Sequence, residues 1–432
     1  MSKKNNQNDG YEDISSYSKP EGKKNIFEPF LLFFATHKAF LSIFICASII
    51  FTSGTTSSSK AVMLSNRNIA TNLYDLLRVE KIYPEDRNLV FLPLHHTYGS
   101  SVMIIGHAVI GAEIYISSGI RYVQKELREQ KPGHLVLVPL YLETFYRRIM
   151  ANLKEKGKEQ LVERMIKVSN GLRKAGIDRR STFFKEIRAA FGGELKTVIT
   201  GGAPVNPQIL EFFDAIGIST LNGYGITECA PLISVVPINE KNNPASCGKL
   251  MPGMQIRIEK EKEEDNFGEI VVKGGNVMLG YYKNEEETAK VLSEDGWFKT
   301  GDYGYVDKEG YLYITGRKKN VIVLQGGKNV FPEEIEEYLE NVPVIEEVVV
   351  IGDENKETGV VSVVALVYPN QEECEKLGLA EKKDIEAYLH DKVQEINKRL
   401  ASYKHITKVE LRDEPFEKTT SRKIKRHVIK KD

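Results

Sequence analysis

The sequence predicts a layered α/β fold: a large domain on a mainly parallel sheet, carrying a small β-rich subdomain and followed by a small α+β C-terminal domain. Three observations predict it. From Ser48 onward, short β-rich runs alternate with amphipathic helical stretches, the pattern of βαβ units. Around residue 245 the alternation stops, and short β runs recur between Gly-containing and acidic turns. After about residue 320, a helix signal, two long β runs and a second helix follow in close order.

The β runs of the first region are SIIFTS from Ser48, NLVFLPL from Asn88, AEIYIS from Ala112, HLVLVPL from His134 and LKTVITGG from Leu195. Amphipathic stretches such as Arg67–Val79 and Arg121–Gln130 lie between them, and residues 142–192 are charged and helical in pattern. The β-rich subdomain, about residues 245–319, begins with MQIRIEK and GEIVVKG and continues through GYLYITG, with NVIVLQG read as a further β run of the same kind. The last unit opens a helix at Pro332, where proline suits the first turn and Glu333 and Glu334 suit the dipole. VVVIG and VSVVALVYP are its strands, Lys382 to Leu400 its long helix, and a basic segment from Lys418 ends the chain. The expected division is a disordered leader at 1–25, an N-terminal domain at 26–319 and a C-terminal domain at 320–432.

Residues 26–51 are strongly apolar but are interrupted by Glu28, Pro29, His37 and Lys38. A membrane helix needs roughly 20 apolar residues with few charges. Membrane contact by this stretch stays open, and Ala47–Phe51 reads as a buried strand running into the next loop. Sixty basic residues balance sixty acidic ones, which argues against a dominant nucleic-acid partner. Cys46, Cys229, Cys247 and Cys374 form no CxxC pair, so they read as reduced thiols of a cytoplasmic protein.

Five segments carry chemistry. Thr52 to Lys60 (TSGTTSSSK) follows a β run, and its hydroxyls, backbone N–H groups and lysine suit phosphate oxygens; it lacks Walker spacing. Gly201-Gly202-Ala203-Pro204 lets a flat ring approach the backbone, although alone it reads as a strand-end turn. In Asn222 to Glu228 (NGYGITE), a tyrosine between glycines can stack on adenine and a carboxylate can hold Mg²⁺. Gly296 to Asp302 (GWFKTGD), with Gly316 to Lys319 (GRKK), offers a carboxylate for ribose hydroxyls and an arginine. Trp297 there reads as packing. Lys418 to Arg426 alone reads as a solvated basic tail.

In this order and at these separations, the five segments resemble the signatures of the adenylate-forming superfamily, over about residues 48–432. VPLYLETFYRR, GGAPVNPQ and GRKKNVIVLQGGKNVFPEEIE resemble its long-chain fatty acyl-CoA synthetase branch. The resemblance implies ATP-dependent activation of a carboxylic acid, a medium- or long-chain fatty acid, to acyl-AMP, then transfer to coenzyme A. ATP, Mg²⁺ and coenzyme A are the implied cofactors and co-substrates. Transfer to a carrier protein is the related alternative, and a nucleotide-binding remnant without catalysis is another. It implies that Thr52, Ser53, Gly54, Thr55, Thr56 and Lys60 bind the ATP phosphates. Gly202, Ala203, Tyr224 and Gly225 would line the adenine pocket, and Asp302 and Arg317 would bind ribose. Thr227 would contact the α-phosphate, Glu228 would hold Mg²⁺, and Lys423 would be the catalytic lysine. Lys319 would be the hinge of a mobile C-terminal domain, Gly326, Gly327, Lys328 and Asn329 would meet coenzyme A, and His96, rather than His95, would sit near the acyl pocket.

The chain departs from the pattern in three places. Only 51 residues precede Thr52, which reads as an N-terminally shortened member. Ser57 stands where glycine is usual, and Arg422 stands where glycine commonly precedes the lysine.

Overall fold

The computed structural model describes residues 46–52, 59–80, 82–203, 205–237, 243, 245–325, 327–355, 357–419 and 424–429. The expectations placed on 1–45, on Ser53–Ser58, on Gly326 and on Lys423 lie outside these residues. Strands β1 (Ser48–Phe51) and β2 (Ala61–Leu64) form an antiparallel hairpin with Phe51 opposite Ala61. Its sheet face is set by alternation: Ile50, Val62 and Leu64 are buried, whereas Ile49 and Phe51 are exposed. The expected buried strand at Ala47–Phe51 is therefore corrected to a half-buried edge strand. Among the described residues it pairs on one side only, and residues of period two cannot all face one core.

After β2, helix α1 (Asn66–Val79) is capped by Ser65, whose hydroxyl accepts from the Asn68 N–H while the Asn68 side chain reaches back to the Ser65 N–H. Among the described residues, five parallel strands then build the main sheet: β3 (Arg87–Val90), β4 (Glu113–Ile116), β5 (His134–Leu137), β6 (Thr197–Gly201) and β7 (Ser219–Gly225), in the order β4-β3-β5-β6-β7. Two antiparallel strands, β8 (Leu232–Val235) and β9 (Lys249–Leu250), extend it. Strands β5 and β6 are buried along their whole length, because a parallel sheet is covered on both faces. On one face Leu135, Leu137 and Val198 pack against helices α2 (Val123–Gln130), α3 (Pro139–Glu155), α4 (Glu159–Lys174) and α5 (Pro207–Ala215). On the other, Val136 and Ile199 share a core with Leu73 and Leu76 of α1 and with Ile50 and Val62.

The β-rich part is a four-stranded antiparallel sheet of β10 (Met254–Glu259), β11 (Gly268–Gly274), β13 (Phe298–Val306) and β14 (Leu312–Arg317), in sequence order. Between its second and third strands, β12 (Gly280–Tyr281) leaves to pair with β2, and helix α6 (Glu285–Val291) follows it. NVIVLQG does not belong to this sheet, which corrects the expectation. Only Ile322–Val323 is strand (β15), and it pairs with Asn329–Val330 (β16). Ile322 packs in a separate core formed by residues 322–406, containing helices α7 (Pro332–Glu340) and α8 (Lys382–Asn397) and strands β17 (Ile345–Glu354) and β18 (Val361–Pro369). The parallel edge strand β19 (Lys408–Leu411) completes that sheet. Phe331 meets this part's neighbour edge-on, with ring centroids 4.9 Å from Phe267 and 6.0 Å from Tyr303.

Candidate active site

The carboxyl ends of parallel strands are where an open α/β sheet leaves room for a ligand. A cavity of about 630 Å³ lies there, between the main sheet, the β1–β2–β12 sheet and β13–β14. Each wall is a chain segment leaving a strand. The segment after β3 carries His96 and Thr97 and turns into a π-helical stretch, Tyr98–Gly106, that presents Tyr98 and Gly99. The end of β6 contributes Gly201 and Gly202, and Gly202 has φ +85°, a left-handed conformation that glycine tolerates. The end of β7 contributes Gly225, where an added Cβ would stand 2.4 Å from the Pro231 carbonyl oxygen. A short turn then aims Thr227 and Glu228 into the cavity.

One end is polar. The β1–β2 hairpin brings Thr52 and Lys60 to the wall, and the Thr52 hydroxyl accepts a 3.0 Å hydrogen bond from the Lys60 N–H. Across from it, the Tyr281 hydroxyl donates to Glu228 Oε1 at 2.9 Å. Burial, reinforced by the Glu228 charge, holds the Tyr281 hydroxyl well above its ordinary range, so it remains a donor. Among the described residues no group of three or more His, Cys, Asp or Glu could cage a metal ion. A single carboxylate such as Glu228 suits Mg²⁺, which binds through one or two carboxylates together with phosphates and water.

Beside this lies a buried acid. Asp302 on β13 is 3% exposed, accepts from the Tyr224 hydroxyl at 2.6 Å and pairs with Arg317 Nε at 2.8 Å. β13 and β14 create the pair by register, since Asp302 lies opposite Arg317. Burial first, and the Asp302 charge second, push the Tyr224 hydroxyl far up. The Asp302 charge in turn raises the Arg317 guanidinium further. The wall also carries apolar and aromatic side chains, Phe91, Ile120, Val138, Leu140, Tyr141 and Ile226 among them.

Of the residues singled out in the sequence, the structure thus brings Thr52, Lys60, His96, Gly202, Gly225, Thr227, Glu228, Arg317 and Lys319 to one cavity, with Tyr224 and Asp302 bonded behind it. Ala203, Gly327 and Lys328 are exposed and outside the wall, and half-buried Asn329 is outside it too. The Lys328 ammonium instead sits 4.7 Å from the Tyr403 ring. Trp297 packs under the Arg257 guanidinium at 4.5 Å, a packing role. The four cysteines are free. Sequence reasoning missed Tyr281 and Glu287, which a Tyr after a Gly and a Glu in an acidic helix do not announce. It also missed Phe91 and Ile120.

A sheet-end cavity with a hydroxyl-and-lysine hairpin, a metal-suited carboxylate and a buried Asp–Arg pair defines a nucleotide-dependent enzyme. Residues 29–282 match the AMP-binding enzyme family and residues 319–432 the AMP-binding enzyme C-terminal domain; the chain belongs to this family. It is 30% identical over 415 residues to long-chain-fatty-acid–CoA ligase FadD15 of Mycobacterium tuberculosis, covering 89% of this chain and 67% of that protein. It is 32% identical over 389 residues to the chloroplastic long-chain-fatty-acid–[acyl-carrier-protein] ligase AEE15 of Arabidopsis thaliana, covering 77% and 52%. Its fold is similar to that of o-succinylbenzoate coenzyme A synthetase (MenE) from Bacillus subtilis in complex with ATP and magnesium ion, with TM-score 0.68 and 25% identity over 90% of this chain and 70% of that one. The chain therefore spans about two thirds of the mycobacterial relative and about half of the plant one.

Proposed function

We propose that this chain activates a medium- or long-chain fatty acid with ATP to acyl-AMP, releasing pyrophosphate, and passes the acyl group to coenzyme A. The observation that carries the reading is one cavity lined by phosphate-suited groups and by apolar and aromatic side chains, with a ribose-suited acid beside it. A carboxylate placed in that cavity attacks the α-phosphorus; a P–O bond forms and pyrophosphate leaves with the electrons of the broken bond. Two anions must meet, so cations are needed where they approach. Lys60 supplies one at the polar end, and Mg²⁺ held on Glu228 would neutralise further charge on the phosphates. Thr227 stands beside Glu228 to donate to the α-phosphate. Tyr224 and Arg317 fix the Asp302 carboxylate, whose oxygens are suited to accept from the ribose hydroxyls.

The acyl-AMP anhydride is then attacked at its acyl carbon by a thiol, and AMP departs. We assign the catalytic ammonium of the first step to Lys423 on the sequence pattern. We also assign to residues 320–432 the part of a lid that turns about Lys319 and brings Gly327, Lys328 and Asn329 to the cavity for the second step. The plant relative named above, an acyl-carrier-protein ligase, supports carrier-protein transfer as a second reading. The proposed location is cytoplasmic; no described helix is long and apolar enough to cross a membrane.

The test is pyrophosphate–ATP exchange by the purified chain with and without a long-chain fatty acid, beside Lys423→Ala. Fatty-acid-dependent exchange that the variant loses is expected. Folded protein without exchange overturns the reading. Thioester analysis with coenzyme A and with a carrier protein then separates the two acceptors.

A further inference from the structure

Lys60 has a carboxylate partner beside the cavity. Its Nζ lies 2.5 Å from Glu287 Oε2 and 4.7 Å from the centroid of the Tyr281 ring. The Tyr281 hydroxyl continues the chain to Glu228 Oε1 at 2.9 Å. The Glu287 carboxylate is itself shared: its other oxygen accepts from Lys290 at 2.7 Å.

The frame that holds these groups is fixed by backbone bonds. Tyr281 pairs with Val62, two residues beyond Lys60. The Tyr281 N–H donates to Thr288 Oγ1 at 2.9 Å, and Asn284 Oδ1 accepts from the Glu287 N–H at 3.2 Å. Glu287 and Tyr281 are thus two sides of one cradle for the Lys60 ammonium. Lys60, Tyr281, Glu228 and Lys290 all line the cavity.

We propose that Glu287 is the resident counter-ion of Lys60, exchanged for the terminal phosphates of ATP on binding and re-engaged when pyrophosphate leaves. The inference rests on the acyl-adenylation reading above. A phosphate chain carries more charge than one carboxylate and offers more acceptor oxygens, so it wins the ammonium when present. Lys290 keeps the released carboxylate neutralised, which lowers the cost of the exchange. While the site is empty, the pair and the aromatic face hold the lysine extended toward the cavity and spare it a conformational search. Glu287 therefore acts on ligands that carry β- and γ-phosphates and not on AMP, and it favours pyrophosphate release.

The test is calorimetric titration of the full chain with ATP, pyrophosphate and AMP, each with Mg²⁺, on wild type, Glu287→Gln, Lys60→Gln and the double variant. Partly exposed ion pairs of this kind set the scale, so Glu287→Gln is expected to tighten ATP and pyrophosphate by about two- to fivefold. AMP affinity stays unchanged, and the gain vanishes in the Lys60→Gln background. Unchanged or weakened ATP binding by Glu287→Gln overturns the counter-ion role, as does an equal shift for ATP and AMP, the signature of a merely structural effect. A wild-type chain that binds none of the three ligands overturns the adenylation reading, and this inference with it.

Discussion

Asp302 is worth more than its one charge because its surroundings have dried it. Two donors already satisfy it, and Tyr224 cannot release its proton beside that carboxylate. Asp302→Asn replaces one acceptor oxygen with a donor that faces either a hydroxyl or a guanidinium. Hydrogen bonds to charged groups set the scale, so nucleotide affinity should fall roughly ten- to a hundredfold, read by titration with AMP. An unchanged affinity would remove the acid from the nucleotide site. Tyr281→Phe tests the carboxylate at the polar end. It deletes the donor to Glu228 and keeps the ring under Lys60. The Mg²⁺ concentration for half-maximal pyrophosphate exchange should rise roughly tenfold. A variant with the wild-type Mg²⁺ requirement would show that Glu228 needs no such orientation. Asp302 and Glu228 were legible because each stands in a Gly-rich segment whose residue types have few other uses. Tyr281 was not, since its partner is 53 residues away in the chain.

At the scale of the element, α1 ends in a carboxylate that the fold has enclosed. Glu80 is 3% exposed, and among the described residues neither of its oxygens has a hydrogen-bond partner. Burial pushes its pKa up to about 8. The unfolded chain releases this proton near pH 4.5 while the folded chain keeps it, so the folded state binds more protons between those values. The stability contribution is full below pH 4.5 and is lost as pH rises toward 8. Glu80→Gln has no such proton, so its stability relative to wild type should improve by on the order of 4 kcal/mol between pH 4.5 and pH 8. Urea unfolding at both pH values measures this, and parallel profiles would refute a buried neutral acid. Helices and strands of this region were visible as patterns of apolar residues. The enclosure of Glu80 was not, because it depends on what packs over the end of the helix.

For the whole molecule, the decisive fact is that residues 322–406 have a core of their own, reached from β14 through the short turn at Lys318–Asn320. The contacts across the division among the described residues are polar and aromatic. Asn206 bonds Asn341 at 2.7 Å, and Phe331 packs on Phe267 and Tyr303. A polar contact such as Asn206–Asn341 suits an interface that opens. Lys319→Pro locks one backbone dihedral of the turn. If the lid turns there, single-turnover measurements should show thioester formation from supplied acyl-AMP slowed at least roughly tenfold, with pyrophosphate exchange much less affected. Equal slowing of both steps would place the hinge elsewhere.

By itself the sequence determined the succession of α/β, β-rich and α+β regions, because burial on one or two faces leaves periodic apolar patterns in a chain. It also determined the family, because phosphate, ribose and metal chemistry restrict a few positions to few residue types. Only the tertiary structure decided that β1 is an edge strand and that NVIVLQG leaves the β-rich sheet, since strand pairing is a choice among partners far apart in sequence. It alone joined Lys60 to Glu287, 227 residues on, and Asp302 to Tyr224, 78 residues back. The physical reason is the same in each case. A side chain's charge state and partner are set by the groups that folding brings within a few ångströms of it, and a linear pattern records only the neighbours along the chain.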